Sequence, residues 1–403
     1  MACVVVRYHE IALKGGNRPR FVRRLIANLR DATTGLGVLG ADSRQGRIVL
    51  RLAPAAPVDR VCDRVAHTFG VANYSVAVEL PADLDAIRAA VLDCARAEPF
   101  TTFAIRTRRA DKSFPLTSPQ LGALLGAAVA AEVGGRVDLD APELPITVEI
   151  LPRAAYVSGG KRPGPGGLPV TVSGRVTCLM SGGIDSPVAA HRMMQRGCRV
   201  DFVHFSGVPY TSRASIDKAR DLVEHLTRWQ LRSELTVVPF GEIQSEIVAR
   251  VPRSHRVVLY RRMMLRIAAA LGRRGARALV TGESLGQVSS QTLENMQAVA
   301  AATPALVLRP LVGMDKNEII QQAVRIGTFA TSILPDQDCC SLFTPAHPTT
   351  RATVAEAEAA ERQLDLSALV ARGVAAATRE RFVFPPELAV AAAGPAAPLT
   401  VRG

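Results

Sequence analysis

The sequence has few cysteines, few aromatic residues and no long apolar run. Its seven cysteines in 403 residues are odd in number and mostly scattered, which argues for a reducing compartment and against a disulfide scaffold. No apolar run is long enough to span a bilayer, and the N-terminus shows neither a charged leader nor a cleavage site. We therefore expect a cytoplasmic protein without a membrane partner. A hydrophobic content of 48% argues against general disorder.

Acidic residues are absent from a long basic stretch between Ile247 and Gly282, which contains nine arginines. The whole chain has a formal net charge of +13. A basic balance suggests a polyanionic partner such as a nucleic acid. A solvated helical face in a protein rich in alanine and arginine explains the same stretch without a partner. Charge alone leaves both explanations open.

Segments rich in glycine and proline divide the chain into three blocks. The first block, 1–57, is predicted to contain a strand, a basic helix and a second strand, and it ends at "APAAP". The second block, 58–165, has the pattern of a small α+β domain and includes most of the linker "GGKRPGPGGLP". Strands alternate with helices over 170–395, which predicts an α/β domain with a parallel sheet covered on both faces. Residues 396–403 are expected to form a tail.

A short polar motif follows the first strand of the third block. "RVTCLMSGGIDSP" places Ser181, Gly182 and Gly183 after the strand, and Asp185 and Ser186 at the start of a helix. Glycines let the backbone approach a ligand, and a helix N-terminus offers N–H groups to a phosphate. Ligands of open parallel sheets bind beyond the carboxyl ends of the strands. The motif therefore favours a phosphate site, in which Asp185 serves either as a Mg²⁺ ligand or as a helix cap.

Later segments supply further candidate residues. "HFSGV" places His204 and Phe205 at the end of the second strand, where they would suit adenine stacking, although His204 is equally compatible with a core position. "TGESLGQVSSQTLENM" brings Gly282 and Gln291 near the sheet edge. Lys316 begins a helix, where it is either a solvated charge or a partner for a triphosphate or a departing oxyanion.

The order Ser-Gly-Gly-x-Asp-Ser resembles the PP-loop of ATP pyrophosphatases and lacks the Walker pattern. With its flanking blocks, the chain resembles the tRNA 4-thiouridine synthetase family, in the form without a C-terminal rhodanese domain. "RYHEIALKGGNRPRF" resembles the ferredoxin-like domain of that family, although His9 stands where the family usually has glycine. "RTRRADKSFPLTSPQLGALLG" resembles its THUMP domain. The three resemblances occur in the family's order and cover almost the whole chain.

The resemblance implies a fold, a set of ligands and a set of contact residues. It implies a ferredoxin-like α+β domain over 1–57, a THUMP domain over 58–165, and a PP-loop domain of the adenine nucleotide alpha hydrolase type over 170–395. It also implies ATP, Mg²⁺ and tRNA as ligands. The nucleotide-binding residues would be Leu179, Met180, Ser181, Gly182, Gly183, Ser186, His204, Phe205, Arg261, Gly282 and Gln291. The tRNA-binding residues would be Arg106, Arg108, Arg109 and Lys112.

The vicinal pair Cys339 and Cys340 is the candidate for sulfur chemistry, because a polar, proline-bounded loop suits an exposed and ionisable thiol. By resemblance, ATP adenylates the uracil 4-oxygen at tRNA position 8, and a cysteine persulfide then delivers sulfur to C4. We favour Cys340 for this role, with Cys339 as alternate or helper, and we expect Asp185 and Lys316 to be catalytic. Cys178 and Cys198 are predicted to be structural, like most buried cysteines. No C-x-x-C occurs, so no iron–sulfur cluster is expected.

Several partners follow from the resemblance. Without a rhodanese domain, sulfur is expected from a separate persulfide donor, such as a cysteine desulfurase acting directly or through a carrier. The family further implies, in some organisms, sulfur transfer to a ThiS-type carrier for the thiamine thiazole, and its members are often homodimers. Two other functions stay open. One is a PP-loop thiolase or ligase acting on another tRNA base, and the other is a non-catalytic tRNA-binding protein.

Overall fold

The computed structural model describes residues 1–152, 154–272, 275–335, 343 and 347–388. These residues form two compact units, one of Met1–Pro169 and the other beginning at Val170. Cys339, Cys340 and the tail expected over 396–403 lie outside the described residues. Within those ranges, no helix is both long enough and apolar enough to cross a membrane.

The first unit is built on one sheet of nine strands, with four helices and two short 3-10 helices near the N-terminus. Its elements are β1 (Ala2–Arg7), α1 (Arg18–Ala32), β2 (Val38–Arg44), β3 (Arg47–Leu52), α2 (Val58–Ala66), β4 (Asn73–Leu80), α3 (Leu84–Arg96), β5 (Thr102–Arg109), α4 (Ser118–Glu132), β6 (Arg136–Val137), β7 (Leu144–Leu151), β8 (Ala154–Gly159) and β9 (Arg162–Pro163). The strand order is β2-β3-β1-β4-β8-β7-β5-β6, and β9 pairs with β4. β5 runs parallel to β6 and β7, and the other neighbours are antiparallel.

The helix α2 belongs to the core of the first predicted domain, although its sequence was assigned to the second. Val61 and Val65 are fully buried in the same cluster as Val4 of β1 and Leu25 of α1. The spacing of Val61 and Val65 places both side chains on one face of the helix, which packs there. The structure therefore differs from the predicted boundary at residues 57 and 58. It also contains β2, whose polar sequence "VLGADSR" lacks the alternation that predicts a strand.

In its described residues, the second unit is an α/β structure on a six-stranded sheet. Its elements are β10 (Arg175–Leu179), α5 (Asp185–Gln195), β11 (Arg199–Ser206), α6 (Ala214–Gln230), β12 (Arg232–Pro239), α7 (Gly241–Arg250), α8 (Arg256–Leu271), β13 (Ala276–Val280), α9 (Leu293–Ala300), β14 (Leu306–Leu308), α10 (Lys316–Arg325), α11 (Phe329–Ser332), α12 (Val354–Glu361), α13 (Leu366–Ala375) and β15 (Thr378–Val383). The strand order is β14-β13-β10-β11-β12-β15, and only β15 is antiparallel to its neighbour. The predicted parallel sheet is confirmed.

The strand order reverses at β10. The chain proceeds from β10 through β11 to β12 on one side, and it then returns to the other side of β10 for β13 and β14. In open α/β sheets, the connections on the two sides of such a point diverge and leave a crevice at the carboxyl ends of the strands. The crevice between β10 and β13 is therefore the position at which this fold is expected to bind a ligand.

Candidate active site

A cavity opens at this crevice, with an apolar part and a polar part. The apolar lining residues are Leu179, Met180, Phe205, Met264, Leu265 and Val299. The polar lining residues are Ser181, Asp185, Ser186, Arg261, Thr281, Gly282, Glu283 and Gln291. An apolar recess with a few convergent polar groups is typical of small-molecule and cofactor sites.

The polar part of the cavity reaches the N-terminus of α5. The N-cap residue, Ile184, makes no side-chain capping hydrogen bond, so the N–H groups of the first turn of α5 face the cavity without the cap that serine or aspartate usually provides. Ser186 does not cap the helix. Its Oγ accepts a hydrogen bond from the Ser181 N–H at 3.0 Å and so holds the loop against the helix. An uncapped helix N-terminus is suited to bind an anion.

Gly282 is the glycine that the geometry of the site requires. A Cβ at this position would lie 2.8 Å from both the Asp185 carbonyl carbon and the Ser186 nitrogen. Strand β13 can therefore approach the Ser181–Ser186 loop only because residue 282 has no side chain. Gly182 and Gly183 have no positive φ and do not line the cavity wall.

Asp185 and Lys316 form an ion pair beside the polar part of the cavity. The Lys316 Nζ donates to Asp185 Oδ1 at 2.6 Å, and the Gln287 Nε2 donates to Asp185 Oδ2 at 2.8 Å. Lys316 is the first residue of α10, as predicted, and Asp315 and Glu318 close a capping box that fixes the start of that helix. The carboxylate of Asp185 is thus oriented by two donors and does not cap α5.

Glu283 is a charged residue of the cavity wall that sequence reasoning missed. Its side chain is buried, and its carboxylate accepts hydrogen bonds from Arg261 at 2.6 Å, Arg309 at 2.7 Å and Thr281 at 2.9 Å. Two guanidinium groups around one carboxylate leave this part of the wall positively charged. The partners come from α8, the end of β13 and the segment after β14, so no local spacing signalled the cluster.

Most of the predicted nucleotide-binding residues meet at the cavity. The structure brings together Leu179, Met180, Ser181, Ser186, Phe205, Arg261, Gly282 and Gln291. His204 is placed elsewhere, because adjacent residues of a strand face opposite sides of the sheet. It is only 2% exposed, and its ring nitrogens lie 2.9 Å from the Met180 carbonyl oxygen and 3.3 Å from the Ser215 Oγ. Of the two roles left open for His204, the structure shows the core position, and the imidazole does not line the cavity.

Two arginines of the arginine-rich stretch are neutralised inside the second unit. Arg262, whose side chain is 1% exposed, and Arg266 both pair with Glu361 of α12. Burial by itself would raise the pKa of the Glu361 carboxyl, but hydrogen bonds from the two arginines outweigh it and hold the pKa below 4.5. Arg262 is therefore part of the core of the unit, and pairing with Glu361 accounts for the charges of Arg262 and Arg266 without an RNA partner.

A cluster of exposed basic residues lies on the first unit. Arg106 and Arg108 are exposed on β5, on the face opposite Phe103, which packs in the core with α3 and α4. Burial, together with the positive charges of Arg7, Arg106 and Arg108, lowers the pKa of Lys161. Lys161 therefore belongs to the same cluster, which sequence reasoning missed because Lys161 follows β8 rather than β5.

The other two predicted RNA contacts lie near this cluster in sequence and differ in their surroundings. Lys112 is exposed in the loop after β5. Arg109 is half-buried, and its Nη1 donates to the carbonyl oxygens of Phe114 at 2.7 Å and Leu116 at 2.9 Å. Arg109 thus holds the loop that leads to α4.

The described cysteines are poorly suited to nucleophilic chemistry. Burial raises the pKa of each of their thiols, to about 12 for Cys178, whereas nucleophilic cysteines are ionised near neutral pH. They are Cys3, Cys62, Cys94, Cys178 and Cys198. This agrees with structural roles for Cys178 and Cys198. Cys339 and Cys340 lie outside the described residues, so their assignment stays a prediction.

No group of three His, Cys, Asp or Glu side chains that could hold a metal ion occurs in the part of the chain that the structure describes. Asp185 is the acidic side chain beside the uncapped end of α5. Mg²⁺ is commonly bound by one or two carboxylates together with phosphate oxygens. The carboxylate of Asp185 fits that kind of site. The expected lack of an iron–sulfur cluster stays a prediction.

Three family models match the chain in sequence order. Residues 3–75 match the ThiI ferredoxin-like domain, 81–159 match the THUMP domain, and 171–366 match the thiamine biosynthesis protein ThiI. A probable tRNA sulfurtransferase of Thermus thermophilus is 48% identical over 91% of each chain. Another from Nocardia farcinica is 42% identical over 96% of this chain and 97% of its own.

A solved structure has the same fold over nearly the whole chain. It is the crystal structure of a 4-thiouridine synthetase–RNA complex with bound ATP. The match has a TM-score of 0.88 at 32% identity, and it covers 95% of this chain and 100% of the other. The predicted succession of ferredoxin-like, THUMP and PP-loop folds is confirmed.

Proposed function

The chain belongs to the ThiI family, and we propose that it is a tRNA sulfurtransferase that uses ATP to convert uridine 8 of tRNA into 4-thiouridine. The observation that carries the proposal is the cavity between β10 and β13, with an apolar recess beside an uncapped helix N-terminus. The solved relative, an RNA complex with bound ATP, supports the same two ligands for this chain.

The cavity suits an adenine nucleotide in one orientation. The apolar part, lined by Phe205, Met264 and Val299 among others, would hold the adenine base. The polar part would hold the phosphates on the first turn of α5, near the positive charge of Arg261. Mg²⁺ would be bound by phosphate oxygens and by Asp185, and it would neutralise phosphate charge there.

The first chemical step attaches AMP to the RNA base. The uracil O4 attacks the α-phosphorus of ATP, a P–O bond forms, and pyrophosphate leaves with the electron pair of the broken P–O bond. The uracil loses its N3 proton to solvent in the same step. Lys316, held by Asp185 at 2.6 Å, would stabilise the negative charge of the departing pyrophosphate. The oxygen of the uracil thereby becomes part of a good leaving group.

The second step replaces that oxygen by sulfur. The terminal sulfur of a persulfide on Cys340 attacks C4, and AMP leaves with the former uracil oxygen. A second thiol then attacks the inner sulfur, which breaks the S–S bond and leaves a disulfide. Cys339 is the candidate for this second thiol. An external thiol reductant must reduce the disulfide before another cycle.

The partners follow from this chemistry. We propose that tRNA phosphates contact the basic cluster of the first unit, formed by Arg106, Arg108 and Lys161, and contact Lys112 in the adjoining loop. The persulfide sulfur would come from a cysteine desulfurase or another donor. Transfer to a ThiS-type carrier and a homodimeric state belong to the same proposal, and the tRNA substrate would place the enzyme in the cytoplasm.

In vitro thiolation tests the proposal. The purified chain is incubated with unmodified tRNA, ATP, Mg²⁺, a cysteine desulfurase and cysteine, and the digested nucleosides are analysed by mass spectrometry. We expect 4-thiouridine that depends on ATP and disappears when tRNA position 8 carries cytidine. A thiolated nucleoside other than 4-thiouridine would favour the alternative of a PP-loop enzyme acting on another base. Binding of tRNA without any ATP-dependent product would favour a non-catalytic binding protein.

A further inference from the structure

Tyr210 and Phe343 form an exposed aromatic pair on the second unit. Among the large hydrophobic side chains that are exposed in the described part of the chain, they are the only aromatic ones, at 50% and 37% exposure. Their ring centroids lie 5.7 Å apart, and the ring planes meet at 73°. The chain has only 18 Phe, Tyr and Trp residues. Two aromatic rings that touch each other in solvent are therefore not explained by packing of the core.

Tyr210 lies on the loop that follows β11, at the carboxyl edge of the parallel sheet. Tyr210 follows β11, whose penultimate residue, Phe205, lines the cavity. The Tyr210 N–H donates to the Gly207 carbonyl oxygen at 2.8 Å. A Cβ on Gly241 would lie only 2.9 Å from the Tyr210 Cδ2. The tyrosine ring therefore rests against the backbone at the start of α7.

An extruded RNA base fits such a pair. An enzyme that modifies a base inside folded nucleic acid must take the base out of its stack, and RNA-binding proteins hold unstacked bases on aromatic rings. An edge-to-face pair leaves ring faces open to a third ring. Stacking engages the face of uracil and leaves its O4 edge free for chemistry. Arg213, which is exposed three residues after Tyr210, offers a positive charge to a neighbouring phosphate.

We propose that Tyr210 and Phe343 form a stacking platform for the extruded target uracil and present its O4 edge to the nucleotide cavity. This rests on the proposed function, because the base must reach the α-phosphorus of ATP. The platform acts before sulfur is delivered. It therefore affects tRNA-dependent release of pyrophosphate, whereas a docking surface for a sulfur-donor protein would affect only the later step.

Alanine variants separate these roles. In Tyr210→Ala and Phe343→Ala, we expect kcat/KM for tRNA in pyrophosphate release to fall by about tenfold or more, as for loss of one stacked base. ATP affinity should stay unchanged, and Tyr210→Phe should retain most of the activity because it keeps the ring. Val324→Ala, at an apolar position of α10 that is 57% exposed, serves as the matched control and should behave as wild type.

A cross-link gives a second measurement. tRNA with 5-iodouridine at the target position is irradiated with the wild-type enzyme, and the cross-linked peptide is mapped by mass spectrometry. We expect attachment to Tyr210 or Phe343, and a cross-link confined to other residues would overturn the platform.

The activity results distinguish this inference from the proposed function. Unchanged pyrophosphate release in both alanine variants would overturn the platform alone, and a defect limited to sulfur transfer would assign the pair to the donor protein instead. If the wild-type chain forms no 4-thiouridine and releases no pyrophosphate, the proposed function fails and the platform fails with it.

Discussion

At the scale of single residues, Asp185 and His204 show how a local motif leaves two roles open. Asp185 stands at a helix start, where capping is the common role, but it instead accepts hydrogen bonds from Lys316 and Gln287. His204 precedes Phe205, and the alternation of the strand turns the histidine into the core and the phenylalanine to the cavity. Contacts across the fold decide both roles.

Replacement of Asp185 by asparagine tests the catalytic role. Asp185→Asn keeps the shape of the side chain but removes the charge that binds Lys316 and, as proposed, Mg²⁺. We expect tRNA-dependent release of pyrophosphate to fall by about 100-fold or more, the size of effect seen when one group that stabilises the transition state is lost. The measurement is pyrophosphate release at saturating tRNA and ATP.

The control for this experiment is Asp217→Asn. Asp217 is an exposed aspartate of α6 that pairs with Arg220 on the same helix. An exposed pair of this kind contributes little, so wild-type release is expected. Full activity of Asp185→Asn would show that the Ser-Gly-Gly-x-Asp-Ser motif was misinterpreted.

Single serine variants distinguish the roles of the two vicinal cysteines. Cys340→Ser should form no 4-thiouridine but should still release pyrophosphate with tRNA, because adenylation does not use the thiol. Cys339→Ser should be less impaired if Cys339 only resolves the persulfide and a small thiol is supplied. Cys94→Ser, at a partly buried cysteine with a raised pKa, is the control. Nucleoside mass spectrometry is the readout, and full thiolation by Cys340→Ser would disprove the assignment.

At the scale of elements, charged residues that the sequence suggests are solvated form ion pairs between helices. The arginines of α8 appear as a basic stripe because the sequence around them has no acid from 247 to 282. Two of them pair with Glu361, which lies about a hundred positions away on α12 and accepts hydrogen bonds from both Arg262 and Arg266. For Arg262 and Arg266, the fold uses the basic charge to pack α8 against α12.

Replacement of Glu361 by glutamine should destabilise the second unit. Glu361→Gln leaves the guanidinium of Arg262 buried without its counter-charge, which typically costs about 3–5 kcal/mol of unfolding free energy. Glu358→Gln, at an exposed position of the same helix, is the matched control and should change stability by less than about 0.5 kcal/mol. Denaturant unfolding at pH 7 measures both, and equal stability of the two variants would contradict the role of the pair.

The effect of Glu361→Gln should also depend on pH. The folded-state pKa of Glu361 lies below its ordinary value of 4.5. Ionised Glu361 therefore stabilises the fold fully above about pH 4.5, and this contribution is lost as the pH falls through the lower, folded-state pKa. The difference in stability between wild type and Glu361→Gln should accordingly shrink under acidic conditions. A difference that stays constant down to acidic pH would contradict the pairing.

At the scale of whole units, the first two predicted domains share one sheet. Strands β1 and β4 pair directly across the predicted boundary, and β4 in turn pairs with β8. Glu149 of β7 is buried and pairs with Arg7 of β1 at 3.1 Å and with Arg47 of β3. The ferredoxin-like and THUMP parts thus form one body, and the basic cluster around Lys161 is built from strands of both.

Binding of tRNA to this body should depend strongly on salt. Each lost phosphate contact should lower the slope of log K against log salt by about one. We therefore expect Arg106→Ala and Arg108→Ala to weaken tRNA binding and to flatten the salt dependence. Arg88→Ala, whose arginine pairs with Glu132 on the helical side of the same unit, should leave the slope unchanged. The dissociation constant for tRNA, measured from low to moderate salt, tests this salt dependence. An affinity that does not change with salt would contradict the proposed phosphate contacts.

The order of the domains, the parallel sheet and the glycine-containing turn before α5 can be read from the sequence alone. These depend on short-range features: apolar strands alternating with helices, and glycines and small polar residues at the start of α5. The vicinal cysteines are also visible in the sequence, although their role is still a prediction. Local patterns of this kind are set within a few residues of the chain, and they can be read without knowing what packs against them.

Which side chains meet depends on the three-dimensional fold. The fold brought Asp185 to Lys316, Arg261 and Arg309 to Glu283, Arg262 to Glu361, and Tyr210 to Phe343. The partners in these pairs are separated by twenty to more than a hundred residues, and whether a charge is solvated, buried or catalytic depends on its neighbours in space. Sequence spacing carries no information on those neighbours, because they are set by the strand order and by the packing of helices on the sheet.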